Sequence, residues 1–282
     1  MAPSQKILHR ARLLREHEHR LKPSLRLRTL EGIEEFVHHE GLVSVFGGNE
    51  LPSVISAILG RDWKPSGKGF TGWYDWWSLK ISGQNAGHAL TNLDRAEDMV
   101  STRIFRGTKT LVSQNLWPVL DPIVNHHLEL AQKHKILSQL EWKMLDVMDK
   151  KAPIRTDHLR SRLKLQGKTH TSRFHRALAR LESYGLVVGY EDPTPERHLH
   201  ANIWQPWKTR VDSKLGNRQS LPYDHCVMEL LARTLDAAVI TQEKETGKWF
   251  QWQESIARAR EQLIDSKRIL RVGSYLVTSR CA

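Results

Sequence analysis

From Lys168 to Arg180 the chain sets polar groups at spacings that suit an anion. Lys168 and His170 stand ahead of Ser172, Arg173, His175, Arg176 and Arg180. Phe174, Ala177, Leu178, Leu181 and Tyr184 alternate with them at steps of 3, 4, 7 and 10, which is one face of a helix. The opposite face then gathers guanidinium and imidazole groups, the chemistry of phosphate and base-edge contact. A second concentration lies in Trp73, Tyr74, Trp76 and Trp77, around Asp75. Indoles stack well on an unpaired base, so Trp73, Trp76 and Trp77 are candidates for a base-stacking platform. The competing reading is a core cluster where a helix meets a sheet. Asp75, flanked by indoles, is a candidate general base with a raised pKa, or equally a partner for a nearby Arg. No second catalytic group stands at a useful spacing from it.

The elements that would hold the basic face are legible around it. Thr156 is a suitable N-cap for a short helix running to about Leu165, with Leu159 and Leu163 on one side. Gln166-Gly167-Lys168 is a turn, and a second helix runs from Thr171 or Ser172 to Gly185. Leu186 to Tyr190 reads as a strand, Glu191 to Leu199 as a hairpin tip carrying Arg197, and His200 to Trp204 as the returning strand. Leu137 to Met148, with Leu140, Met144, Leu145 and Met148 inward, supplies a first helix. Helix, helix, turn, helix and hairpin is the order of a winged helix-turn-helix, which lays its second helix in a major groove. Arg197 on the wing would meet a phosphate or the minor groove. Against this stands a plainer reading: any amphipathic helix has a polar face, and winged helices also bind proteins.

The chain has 282 residues, 39% hydrophobic with 10 Trp, so it can bury a core. Its net charge of +12 favours a polyanion, with duplex DNA first and an anionic membrane surface second. No apolar run is long enough to span a bilayer, and the N-terminus has no signal-peptide core. Cys226 and Cys281 are far apart and lack metal-type spacing, which suits a reducing cytoplasm. The pairs His38-His39 and His126-His127 are adjacent, so neither is a ready chelate. The reading includes no metal and no cofactor.

Five segments follow. Residues 1–28 form a basic helix and arm, either a loose cationic arm on phosphates or a helix packed along the body, with His17 and His19 solvated. Residues 29–136 form an N-terminal α+β, winged-helix-like domain. There Thr29 caps a helix to Glu40, Leu42 to Phe46 is a strand, and Leu51-Pro52 starts another helix. Ser82 to His88 reads as a loop, Arg95 to Arg103 as a helix and Thr110 to Ser113 as a strand. Asn115 to His134 reads as helix interrupted at Pro118 and Pro122. Residues 137–204 are the central winged helix-turn-helix and 205–222 a polar linker. Residues 223–282 end in a helix and a hairpin turning at Gly273-Ser274, again winged-helix-like. The fold class is α+β, mainly helical, with tandem winged helix-turn-helix units and short β-hairpins.

The runs G-L-V-S-V-F-G-G-N-E-L-P-S (41–53), W-Y-D-W-W (73–77), T-L-V-S-Q-N-L-W-P (110–118) and S-R-F-H-R-A-L-A-R-L (172–181) occur in an order that resembles winged-helix relatives of the bacterial interstrand-crosslink DNA glycosylases of the AlkZ/YcaQ type. The resemblance covers about residues 29–204. It implies tandem winged helices in a C-shaped body that clasps duplex DNA. In active members, a Q-x-D or Q-x-Q motif after the first helix activates water at the glycosidic carbon. The matching stretch here is Val43 to Phe46, with neither Gln nor Asp. Asn49 and Glu50 are the nearest substitutes, which makes Glu50 a second catalytic candidate beside Asp75. In a related branch without glycosylase activity the Trp motif carries a Lys and an acid; here Trp77 and Ser78 take those places. The functions that follow are a DNA-binding protein in repair or regulation, a monofunctional glycosylase for alkylated bases, or a protein-interaction module.

Overall fold

The computed structural model describes residues 2–63, 74–134, 136–192, 201–215 and 221–282, with backbone alone for Tyr74, Asp75 and Ser213. Helix α1 (Pro3–Glu18) begins at a proline, whose missing N–H has no partner to lose in a first turn. Its thin stripe of Ile7, Leu8, Ala11 and Leu14 packs on Val239, Val272, Val277 and Cys281. The stretch is thus a helix packed along the body, and the loose-arm reading fails for residues 3–18. His19 is also a correction: it is 1% exposed, and its Nε2 lies 2.8 Å from the Ala237 carbonyl oxygen. Burial, with Arg15 nearby, holds its pKa at about 3.

Helix α2 (Leu30–Glu40) is capped by the Thr29 hydroxyl, which accepts from Gly32 N at 3.1 Å, and ends at Gly41. Strand β1 (Leu42–Ser44), helix α3 (Val54–Leu59) and helix α4 (Tyr74–Trp77) follow. A small hairpin, β2 (Lys80–Ile81) and β3 (Gln84–Asn85), leads into α5 (Ala86–Arg95), then β4 (Met99–Thr102) and β5 (Thr110–Ser113). The expected loop at 82–88 and helix at 95–103 are both displaced. Ala86, Ala89, Leu90 and Leu93 form the buried stripe of α5, and every residue of β4 is buried. Tertiary burial of Met99 to Thr102 outweighs their local preference. Helix α6 (Trp117–His134) runs through Pro122 unbroken. Pro118 falls in its first turn, and Pro122 near the start removes one hydrogen bond from a long helix.

Helix α7 (Gln139–Lys151) opens with a capping box between Ser138 and Glu141 and buries Leu140, Met144, Leu145 and Met148, as its periodicity predicts. Then come β6 (Ile154–Arg155), α8 (Thr156–Arg162), α9 (Thr171–Ser183), β7 (Val187–Glu191) and β8 (Asn202–Pro206). Thr156 is not an N-cap; its hydroxyl donates to the Asn202 carbonyl and accepts from Trp204 Nε1, both at 2.9 Å. The stretch expected as a linker begins with α10 (Trp207–Val211), whose Trp207 is buried and donates to Asp121 at 3.1 Å. Helix α11 (Tyr223–Ala238), β9 (Ile240–Gln242), α12 (Glu243–Thr246), α13 (Gln253–Asp265), β10 (Ile269–Val272) and β11 (Tyr275–Thr278) complete the chain.

One order of elements occurs three times: helix, strand, two helices, two strands. It is α2-β1-α3-α5-β4-β5, then α7-β6-α8-α9-β7-β8, then α11-β9-α12-α13-β10-β11, with α4 and its hairpin inserted in the first. In each antiparallel sheet the third strand lies in the middle, giving β1-β5-β4, β6-β8-β7 and β9-β11-β10. The result is a mainly helical α+β body. One core cluster joins α6, the central unit, the third and the inner side of the first, including Leu42, Val100 and Val112, and another fills the rest of the first unit. Among the described residues no helix is long and apolar enough to cross a membrane.

Candidate nucleic-acid interface

Helix α9 is amphipathic for the reason its sequence gives. Phe174, Leu178 and Leu181 are at most 2% exposed, while Ser172, Arg173, His175 and Arg176 face solvent. Ahead of α9, Gly167 takes a φ of 92°, a conformation open to glycine. Arg160 ties the turn down: it donates to the carbonyls of Leu165 and Gly167 and to the Thr171 hydroxyl, and lies over the Phe174 ring. The turn that carries Lys168 and His170 is therefore held against the helix it precedes.

The electrostatics of this surface are one-sided. No Asp or Glu occurs from His158 to Leu181, a stretch that holds Arg160, Arg162, Lys164, Lys168, Arg173, Arg176 and Arg180. Arg162, Lys164, Lys168, Arg173 and Arg176 are exposed and make no ion pair among the described residues. His175 is held below the ordinary imidazole range by burial, then by Arg160 and Arg103, so at neutral pH it offers hydrogen bonds and no charge. Arg180 departs from the expected set. It donates to Glu141 at 3.2 Å and to the Ile136 carbonyl at 2.8 Å, and so fastens α9 to α7. Arg197 lies outside the described residues.

Among the described residues, the corresponding helices of the other two units present no comparable face. Helix α5, which holds the place of α9 in the first unit, is packed against β7 of the central unit. There the Thr91 hydroxyl donates to Glu191 at 2.9 Å. Helix α13 of the third unit carries Arg258 and Arg260, but Arg260 pairs with Glu243 and Glu261, and Arg258 lies 3.7 Å from Asp224.

Of the two catalytic candidates, the described residues place only the side chain of Glu50. Both oxygens of Glu50 accept from Arg106, at 2.5 and 2.8 Å, and Arg106 also donates to Glu245 at 2.7 Å. That arrangement clamps the first unit to α12, with both carboxylate oxygens of Glu50 engaged by one guanidinium. Asp75 lies in α4, where its backbone alone is described. Trp73 lies outside the described residues. Trp76 is 1% exposed and packs in the first unit's core, while Trp77 is 38% exposed. At the Val43 to Phe46 stretch, Ser44 bonds the Phe46 carbonyl and accepts from Asn49 Nδ2 at 3.0 Å.

Beside that stretch lies a cavity of about 350 Å³, walled by Phe46, Trp76 and Trp77, with Thr91, Asp94, Lys109 and Glu191 as its polar groups. Asp94 pairs with Lys109, yet burial, the larger influence, raises its pKa. These polar groups come from α5, the β4–β5 connection and β7, so no local motif in the sequence marks them.

The comparisons with known proteins fit this geometry. A family model described as "AlkZ related" matches residues 27–198. Among solved structures, the Streptomyces sahachiroi DNA glycosylase AlkZ is similar at a TM-score of 0.54 and 13% identity, over 99% of this chain and 71% of that one. At that identity the likeness concerns the fold. No curated protein matches the sequence.

Proposed function

The chain belongs to the AlkZ-related family, and on that premise we propose that it is a cytoplasmic DNA-binding protein whose three units are tandem winged helices on duplex DNA. The recurrent order of elements, with the third strand central in each sheet, supports the winged-helix reading. The observation that carries the DNA reading is the face of α9 with the turn before it, where Arg173, Arg176 and Lys168 are exposed and make no ion pair among the described residues, while the equivalent helices are covered or neutralised. In this reading α9 enters the major groove, Ser172 and His175 lie at base edges, and Lys168, His170 and Arg197 reach the backbone. The test is fluorescence anisotropy with an unspecific duplex at several salt concentrations. Each lost phosphate contact lowers the slope of log K on log salt by about 0.9, so Arg173→Ala with Arg176→Ala is expected to lower it by about 2. An unchanged slope and affinity would remove α9 from the groove and leave a protein-interaction module.

A second reading, removal of alkylated bases, is favoured by the cavity beside Val45 and Phe46. It joins aromatic walls to the carboxylates of Asp94 and Glu191 at the place where active relatives carry their motif. It expects free base from an alkylated duplex, with release lost in Glu191→Gln. Intact alkylated strands after prolonged incubation would eliminate it.

A further inference from the structure

The seam between the central and third units holds another cavity, which the DNA reading leaves unused. It measures about 640 Å³ and lies between α6, the end of α9 and the starts of α11 and α13. That size is within the range of small-molecule sites. Its wall is made of rings. His126 and Tyr223 lie nearly face to face, centroids 3.9 Å apart at 31°, and His127 and Trp252 are 4.5 Å apart at 47°.

Two polar atoms of this wall have no hydrogen-bond partner among the described residues. His127 is 3% exposed; its Nδ1 lies 3.2 Å from the Tyr184 carbonyl oxygen, and its Nε2 bonds nothing. Burial holds the His127 pKa at about 4, so at neutral pH the ring is uncharged. With Nδ1–H donating to Tyr184, Nε2 is a bare acceptor. Trp252 is 8% exposed, and its Nε1–H also bonds nothing. A buried donor or acceptor without a partner costs stability, and native proteins hold few of them. These two belong to neighbouring rings of one cavity wall, closed off from water just behind its surface.

We propose that this cavity binds a nucleobase, either of a free nucleoside or of an unpaired position in bound DNA, with its pairing edge toward His127 and Trp252. The pairing edge of each base sets a donor beside an acceptor, the complement of an indole N–H beside an imidazole nitrogen. Its planar face stacks on aromatic rings, here the His126–Tyr223 pair. The proposed bound state requires the Trp252 and His127 rings to turn these two nitrogens from behind the wall into the cavity. The rim carries Asp224, Glu254 and Arg258, with Arg258 3.7 Å from Asp224, so no net positive charge awaits a phosphate. A nucleoside is therefore preferred over its monophosphate.

The test is calorimetric titration of the full chain with adenosine, cytidine and adenosine monophosphate, beside anisotropy with a duplex holding one bulged adenine and its perfect counterpart. Adenosine or cytidine is expected to bind, the monophosphate more weakly. Trp252→Phe, which keeps a ring and removes the N–H, should weaken binding roughly tenfold, as should Tyr223→Ala, which removes a stacking face. Heat with nucleosides identifies a free ligand. Extra affinity for the bulge alone, lost in Trp252→Phe, identifies the DNA base. If Trp252→Phe lowers the melting temperature, Tyr223→Ala at its half-buried position decides. No binding of nucleoside or bulge, or binding that both variants leave intact, overturns the proposal. Loss of duplex binding in the α9 variants with nucleoside binding retained would separate it from the DNA reading.

Discussion

Glu182 closes the last turn of α9 in the seam between the central and first units, and it makes the stability of that seam depend on pH. Its side chain is 10% exposed, and Arg103 Nε lies 3.2 Å away, itself 45% exposed. Burial outweighs Arg103 and Lys109 and lifts the carboxyl from 4.5 to about 7. The sign follows from proton binding. The folded state holds this proton more tightly than the unfolded chain, so the contribution is complete below pH 4.5 and is lost as pH rises through 7. At about 1.4 kcal/mol for each tenfold difference in proton affinity, the whole effect is about 3 kcal/mol. The unfolded carboxyl has already begun to ionise at pH 5, so about 2–3 kcal/mol remains between pH 5 and 8.

Glu182→Gln keeps the shape of the neutral acid and removes the titration. The variant should match the wild type within about 1 kcal/mol at pH 5 and exceed it by about 2 kcal/mol at pH 8. The assay is urea unfolding at both values, taken as the difference between variant and wild type, so that groups common to both cancel. His19 and His127, depressed to about 3 and 4, work in the opposite sense, and this difference removes them too. A variant weaker at pH 8 than at pH 5 would refute the reasoning. It would mean that the carboxylate is charged in the native seam and that Arg103 holds it.

Other consequences are more direct. Arg180→Ala should cost about 1–2 kcal/mol in urea unfolding, because it strips the buried Glu141 carboxylate of its guanidinium, while leaving the salt slope of duplex binding unchanged. Gly189→Ala would place a Cβ 2.4 Å from the Trp204 ring, which is pinned by its bond to Thr156, and should lower stability by about 1–3 kcal/mol in thermal unfolding. His19→Gln keeps a donor for the Ala237 carbonyl but does not titrate. The wild type loses His19's contribution as pH falls from 6.5 toward 3, so the variant should show a flatter acid limb in urea midpoints.

What the sequence discloses here is what depends on neighbours along the chain. The stripe from Phe174 to Leu181, the turn at Gly167 and the capping of α2 by Thr29 are all local, and each is where the periodicity predicts. Partnerships across the fold are invisible at that range. Arg180 looks like its neighbours Arg173 and Arg176 until Glu141, 39 positions away, is brought beneath it. Glu50 reads as a free acid in a loop, and only the fold supplies Arg106 and Glu245. Met99 to Thr102 carries no strong local sign of a strand, yet it pairs with β5 and is buried throughout. The polar groups of the cavity beside Phe46 are drawn from three elements, and no spacing rule links them.

The three units share one topology, so topology alone does not choose which of them would meet DNA under the proposed function. What differs is how each second helix is occupied. Helix α5 is packed on both sides: Thr91 bonds Glu191 across the seam, while within the first unit Asp94 pairs with Lys109 and Gly87 lies so close to Trp77 that a Cβ there would meet its ring at 2.6 Å. In the third unit the arginines face acids, since Arg260 and Arg271 share Glu243 and Glu261. Among the second helices of the three units, α9 alone, in the described residues, carries exposed arginines with no ion pair, and the stretch leading into it from His158 holds no acid. Packing closes one helix and internal ion pairs occupy another, which leaves the basic face of α9 open to an anion.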